Sequence, residues 1–109
     1  MIATFSFTSG TTGNPKAAMI TQANFCALIA IVENGSLVSV YPSDRHLSYL
    51  PLAHIFERLI SIVSIYVGFE VFYFSGDILK IKNDMFEAKP TLFISVPRLY
   101  HRIYDGIMK

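Results

Sequence analysis

Short runs of β-branched and aromatic residues alternate along this chain with longer segments of helical period, and that alternation constrains the fold most. Strands read from Thr4 to Phe7, Ala17 to Ile20, His46 to Leu50, Glu70 to Phe74 and Thr91 to Val96. Between and after them lie helices. Thr21 is set to cap one that carries Phe25, Leu28, Ile29 and Val32 until Asn34-Gly35 stops it, and another runs from Ile55 to Val67 and closes at Gly68. Asp77 caps a third, with Ile78, Ile81, Met85 and Phe86 on one side and Pro90 at its end; the last begins at Pro97, a favoured first helical residue. Strands separated in this way by helices predict an α/β fold, a mostly parallel sheet with flanking helices that cover both faces. The Ile55 to Val67 helix is apolar nearly all round and reads as buried.

With 109 residues the chain has room for a single core, burying roughly 65% of the surface that its unfolded form exposes. No repeat, low-complexity linker or internal boundary divides it. Hydrophobic residues make up 52% and charged residues 16%, against about 25% charged in an ordinary soluble domain. Part of that apolar surface therefore calls for a cover from outside these residues. A net charge of +1 with no basic run excludes an electrostatic footprint for nucleic acid.

The single cysteine, Cys26, allows no intrachain disulfide and fits a reduced, intracellular setting, where it reads as a small buried hydrophobe. Met1-Ile2-Ala3-Thr4 resembles the middle of a strand rather than a signal peptide. Leu59 to Phe74 is the most lipid-like stretch, but it holds Ser61, Ser64, Gly68 and Glu70 and is shorter than the roughly 20 apolar residues of a membrane span.

The strongest chemical signal is Phe7-Thr8-Ser9-Gly10-Thr11-Thr12-Gly13-Asn14-Pro15-Lys16. Gly10 and Gly13 let backbone amides approach an anion. The hydroxyls of Thr8, Ser9, Thr11 and Thr12 donate hydrogen bonds, and Lys16 adds a mobile positive charge. Such a loop suits a polyphosphate, although the same residues are also good turn chemistry between two strands. It is not the Walker loop: the glycines are three apart, Pro15 precedes the lysine and Ala17 follows it.

This segment resembles the signature loop of the adenylate-forming superfamily of acyl-CoA synthetases, luciferases and peptide-synthetase adenylation domains. Ala17 departs from it, standing where those proteins usually have glycine. The resemblance continues through Ser48-Tyr49-Leu50-Pro51-Leu52-Ala53-His54-Ile55-Phe56-Glu57-Arg58, Gly76-Asp77, Lys89-Pro90-Thr91 and Val96-Pro97-Arg98-Leu99-Tyr100. Two of these runs, around His54 and Arg98, are similar to long-chain fatty acyl-CoA synthetases in particular. The resemblance implies that residues 1–109 are a fragment of the AMP-binding N-terminal domain, with the C-terminal domain absent. No later Tyr-Gly-x-Thr-Glu or Thr-Gly-Asp segment is present.

It further implies a ligase that activates a fatty acid with ATP and transfers the acyl group to coenzyme A, using magnesium and the remainder of the synthetase chain. Thr8, Ser9, Gly10, Thr11, Thr12, Gly13 and Lys16 would hold ATP and its pyrophosphate, with the Thr8 hydroxyl as metal ligand. Lys16 and His54 would act in catalysis, His54 lining the acyl-adenylate site unless it only caps or packs against its helix. Glu57, Arg58 and Arg98 stay open between ion pairs and phosphate contacts, while His46 and His101 read as surface or edge residues.

The parent enzyme's fatty substrates would draw it to a membrane, such as the cytosolic face of the endoplasmic reticulum. The alternatives are a stand-alone nucleotide- or phosphate-binding module without ligase activity, and a membrane-associated interaction protein. The second lacks the basic polar face of a membrane-surface helix.

Overall fold

A computed structural model describes residues 1–8, 13–35 and 38–108. Strands β1 (Ile2–Thr8) and β2 (Lys16–Thr21) form an antiparallel hairpin in which Phe5 faces Met19 and Thr8 faces Lys16. Helix α1 (Gln22–Glu33) follows at once. Thr21 caps it as expected: its hydroxyl accepts from the Asn24 amide, and the Asn24 side chain reaches back to the Thr21 amide to complete a capping box.

Strands β3 (Arg45–Ser48) and β4 (Glu70–Tyr73) pair in parallel, with His46 opposite Val71 and Leu47 opposite Phe72. Helix α2 (Ile55–Val67) makes the crossover between them. A 3-10 turn at Ile78–Lys80, capped by the Asp77 carboxylate, leads into α3 (Ile81–Ala88), and α4 (Pro97–Ile107) is the last helix.

The expected strand at Thr91 to Val96 joins β3 through one parallel bridge, His46 to Leu92. The Thr91 and Leu92 amides both donate to the Arg45 carbonyl, and side chains add to the docking. The Thr91 hydroxyl accepts from the Arg45 amide at 3.0 Å and donates to Asp44 at 2.6 Å, while the Tyr49 hydroxyl meets Ser95 at 2.7 Å and accepts from the Val96 amide. Parallel pairing among the described residues is thus limited to this three-segment patch, with the antiparallel hairpin beside it. The Asp44 carboxyl is held below its ordinary value by the Thr91 hydroxyl first and the Tyr41 amide second. Being depressed on folding, it contributes stability that is complete above the usual carboxylate range and is lost on acidification through its folded value.

Side chains alternate across this patch as they should in strands. Leu92 and Ile94 point to one face, where Ile60, Val63 and Phe69 make a core against α2, with Leu28, Ile29 and Val32 of α1 packed onto it. Phe93 points to the other face, where Leu47, Ile81, Ala88 and Leu99 pack with Tyr49, Met85 and Ile103 under α3 and α4. Helices therefore cover both faces, the arrangement the alternation of elements predicts.

Coverage is incomplete. The radius of gyration is 15.6 Å, where a compact chain of this length has about 13 Å. Helix α2 is not buried all round, contrary to expectation: Glu57, Ile60, Val63 and Ser64 face inward, whereas Ile65 is 84% exposed, and Phe56 and Tyr66 are exposed with it. Cys26 is also exposed rather than buried, because α1 lays only Leu28, Ile29 and Val32 on the core. Phe86, expected on the same side as Ile81 and Met85, faces out instead. Among the described residues no helix is long and apolar enough to cross a membrane.

Gly68 ends α2 at φ +87°, in the left-handed region that glycine enters without steric cost. A Cβ built there meets nothing within 4 Å. Gly68→Ala should consequently cost only the backbone term, about 1 kcal/mol, read as a lower denaturation midpoint at unchanged slope. A neutral substitution would show that the helix end relaxes freely.

Candidate functional site

The phosphate-loop residues that the structure describes sit at the turn end of the β1–β2 hairpin, where the two strands are connected. The Thr8 hydroxyl donates to the Lys16 carbonyl at 3.3 Å, so the two ends of the loop are tied across the last register pair. Gly13 adopts φ +94° in open space. Ser9, Gly10, Thr11 and Thr12 lie outside the described residues. The Lys16 side chain is exposed, and none of the ion pairs among the described residues engages it.

This geometry fits a polyphosphate. The hairpin fixes both ends of a short loop, a glycine leaves the backbone open to close approach, and an uncommitted ammonium stands beside it. For magnesium the fit is partial, since the Thr8 hydroxyl oxygen is one hard donor. No group of three His, Cys, Asp or Glu among the described residues could hold the ion. Phosphate oxygens and water would have to supply most of the coordination, the usual manner for this cation.

His54 lies elsewhere, beyond the carboxyl end of β3, where open parallel sheets place their ligands. The chain leaves Ser48, turns at Leu50-Pro51, and closes the turn with the His54 amide on the Pro51 carbonyl at 2.8 Å. His54 is then the first cap of α2, but its side chain makes no capping bond. The imidazole is half-buried and stacks on Phe56 at 5.7 Å, and its Nδ1 is buried with no partner among the described residues. Local capping is thereby excluded, and packing against Phe56 is present. No hydrogen bond, ion pair or ring contact among the described residues joins His54 to Thr8, Gly13 or Lys16.

His46 contradicts its sequence reading as a surface or edge residue. It is completely buried on the α2 face of β3. Its Nε2 lies 3.2 Å from Glu57 Oε1, and its Nδ1 lies 3.3 Å from the Leu92 carbonyl oxygen. Glu57, left open between ion pair and phosphate contact, is that buried partner, at 2% exposure. Arg58 is half-buried, Arg98 and His101 are exposed, and Arg98 and His101 line one open cleft of about 410 Å³ along α4. Sequence reasoning missed the His46–Glu57 pair. The available signal was a histidine in strand register whose neighbours Arg45 and Leu47 both point to the other face, with a carboxylate in the first turn of the next helix.

The whole of residues 1–109 matches the family model described as "AMP-binding enzyme". The chain belongs to the AMP-binding enzyme family. It is 50% identical over 108 residues to the peroxisomal long chain acyl-CoA synthetase 7 of Arabidopsis thaliana, a match covering 97% of this chain and 15% of that protein. To long-chain-fatty-acid–CoA ligase 1 of Homo sapiens it is 43% identical, over 97% of this chain and 16% of the relative.

Among solved structures, O-succinylbenzoate coenzyme A synthetase from Bacillus subtilis, in complex with ATP and magnesium ion, superposes with a TM-score of 0.78 at 24% identity. It covers 96% of this chain and 22% of that one, and it supports the AMP-binding fold alone. The chain thus spans about 15% of the length of the curated relatives it matches.

Proposed function

We propose that these residues form the phosphate-binding and substrate-rim segment of a long-chain fatty acid–CoA ligase. Similarity to long-chain synthetases along nearly the entire chain carries the reading, and it does not favour a stand-alone phosphate-binding module. In the reaction, a fatty-acid carboxylate oxygen attacks the α-phosphorus of ATP, forming the acyl-adenylate and expelling pyrophosphate. The coenzyme A thiol then attacks the acyl carbonyl carbon, losing its proton, and AMP leaves.

Residues 8–16 hold the β and γ phosphates as negative charge builds on the departing pyrophosphate, with Lys16 supplying the countercharge. Thr8 would add one oxygen toward magnesium, which would neutralise phosphate charge when bound. His54, half-buried at the end of β3 with a free ring nitrogen, lines the acyl-adenylate and orients it. The exposed apolar faces of α2 and the hairpin pack against the remainder of a longer synthetase chain in this reading, and ATP, fatty acid and coenzyme A are its small-molecule partners. An intracellular setting follows from that chemistry, and attachment of the parent enzyme to a membrane face belongs to the same proposal.

The residues described here lack the further groups adenylation requires, so the 109-residue chain alone should bind phosphate without turnover. The check is a coupled AMP-release assay with ATP, magnesium, palmitate and coenzyme A. Sustained release by the isolated chain, above that of a Lys16→Ala control, would overturn this part of the reading.

A further inference from the structure

The His46–Glu57 contact closes a loop of the chain. It joins two residues 11 apart in sequence, and everything between them is the rim: the end of β3, the Leu50-Pro51 turn, His54 and the first turn of α2. The other ring nitrogen ties the same imidazole to the Leu92 backbone, on the third segment of the sheet. One buried side chain therefore holds three pieces of the fold at the place where the chain turns out to His54.

The bonding is directional. A carbonyl oxygen only accepts, so Nδ1 carries a hydrogen and donates it to Leu92. A hydrogen then lies between Nε2 and Glu57 Oε1, borne by one or the other. The other Glu57 oxygen, Oε2, has no partner among the described residues. Two polar side chains this deep, one with a spare oxygen, are a poor choice for stability alone, because apolar residues of the same size would fill the space at lower desolvation cost.

We propose that His46 and Glu57 act as positioning residues, clamping both ends of the rim loop so that His54 is held in one orientation toward the acyl-adenylate. This rests on the reading of His54 as a substrate-lining residue. Glu57 occupies the first turn of α2, three residues after His54. A fixed Glu57 fixes the axis and rotation of that turn, and with it the direction in which His54 leaves the helix. Losing the clamp would let the rim drift while both cores remain packed, and a displacement of about 1 Å at a positioning group is enough to cost on the order of a hundredfold in rate.

The test uses the full-length protein that carries this segment. Glu57→Gln keeps the shape and hydrogen-bonding of the carboxyl, whereas the paired change His46→Leu with Glu57→Met refills the space with apolar side chains and removes the directional bonds. Single-turnover rates per folded molecule should stay within about threefold of wild type for Glu57→Gln and fall about tenfold or more for the apolar pair. Adding His54→Ala to the apolar pair should cause little further loss, because residues acting through one another are not additive.

Wild-type rates in the apolar pair, or losses that add fully to those of His54→Ala, would overturn the clamp. Independently of any activity, the ring resonances of His54 in histidine-labelled protein should move in the apolar pair and stay in place in Glu57→Gln; unmoved resonances in both would also overturn it. Absence of acyl-adenylate formation by the wild type would count against the proposed function, and the resonances would still decide the clamp.

Discussion

Lys16→Ala in the full-length protein should slow formation of acyl-adenylate by roughly ten- to a hundredfold or more, while thioester formation from preformed acyl-adenylate changes little. A charge-assisted contact to phosphate contributes on the order of 1.5 to 3 kcal/mol, and each 1.36 kcal/mol at the transition state is about tenfold in rate. The asymmetry between steps is the informative part. Pyrophosphate is present only in the first half-reaction, so a side chain that serves the leaving group has nothing to stabilise in the second. Lys16 is exposed at the mouth of the hairpin, with no ion pair among the described residues to lose, so folding should be untouched. Rapid-quench measurement of each half-reaction separates the steps, and equal losses in both would mean that Lys16 supports the fold or the adenylate.

His46→Ala should be the most destabilising single change in this segment. It leaves Glu57, 2% exposed, without its partner, and removing one member of a buried pair costs on the order of 3 to 5 kcal/mol. Whole proteins are stable by about 5 to 15 kcal/mol, so the variant should unfold at a clearly lower temperature or express poorly. The apolar pair His46→Leu with Glu57→Met should recover most of the loss, since no charge is then left buried. Chemical denaturation of the three proteins provides the check. A cost below about 1 kcal/mol for His46→Ala would show that water reaches Glu57 and that the pair is not enclosed.

The contrast between these two residues shows what was legible in the sequence. Helix ends were, because they are written in local chemistry: Thr21 with Asn24, Asp77 with Leu79, and Gly68 each act through backbone groups within a few residues. The flanked sheet was legible from the periodicity, whereas a phosphate-binding role for residues 8–16 is a proposal drawn from their hydroxyls, glycines and lysine. The fate of Thr91 to Val96 was not, since its docking depends on the Thr91 and Tyr49 hydroxyls finding partners more than 40 residues away. His46 was misread for the same reason. Its burial is decided by Glu57 and the Leu92 carbonyl, which meet it only after the crossover is folded. Helix α2 looked buried because its composition is apolar, but the residues described here cover one side of it alone. Composition reports what a surface can be packed against, and the packing partner is a separate fact.

In the proposed function, this segment belongs to an enzyme that joins AMP to a fatty acid. Pyrophosphate exchange into ATP tests it most directly, because that exchange reports the reversible first step and needs no coenzyme A. The full-length protein, given ATP, magnesium and labelled pyrophosphate, should incorporate label into ATP when palmitate is added and not otherwise, and Lys16→Ala should abolish most of the signal. Palmitate-independent exchange, or release of ADP and phosphate in place of exchange, would contradict the account.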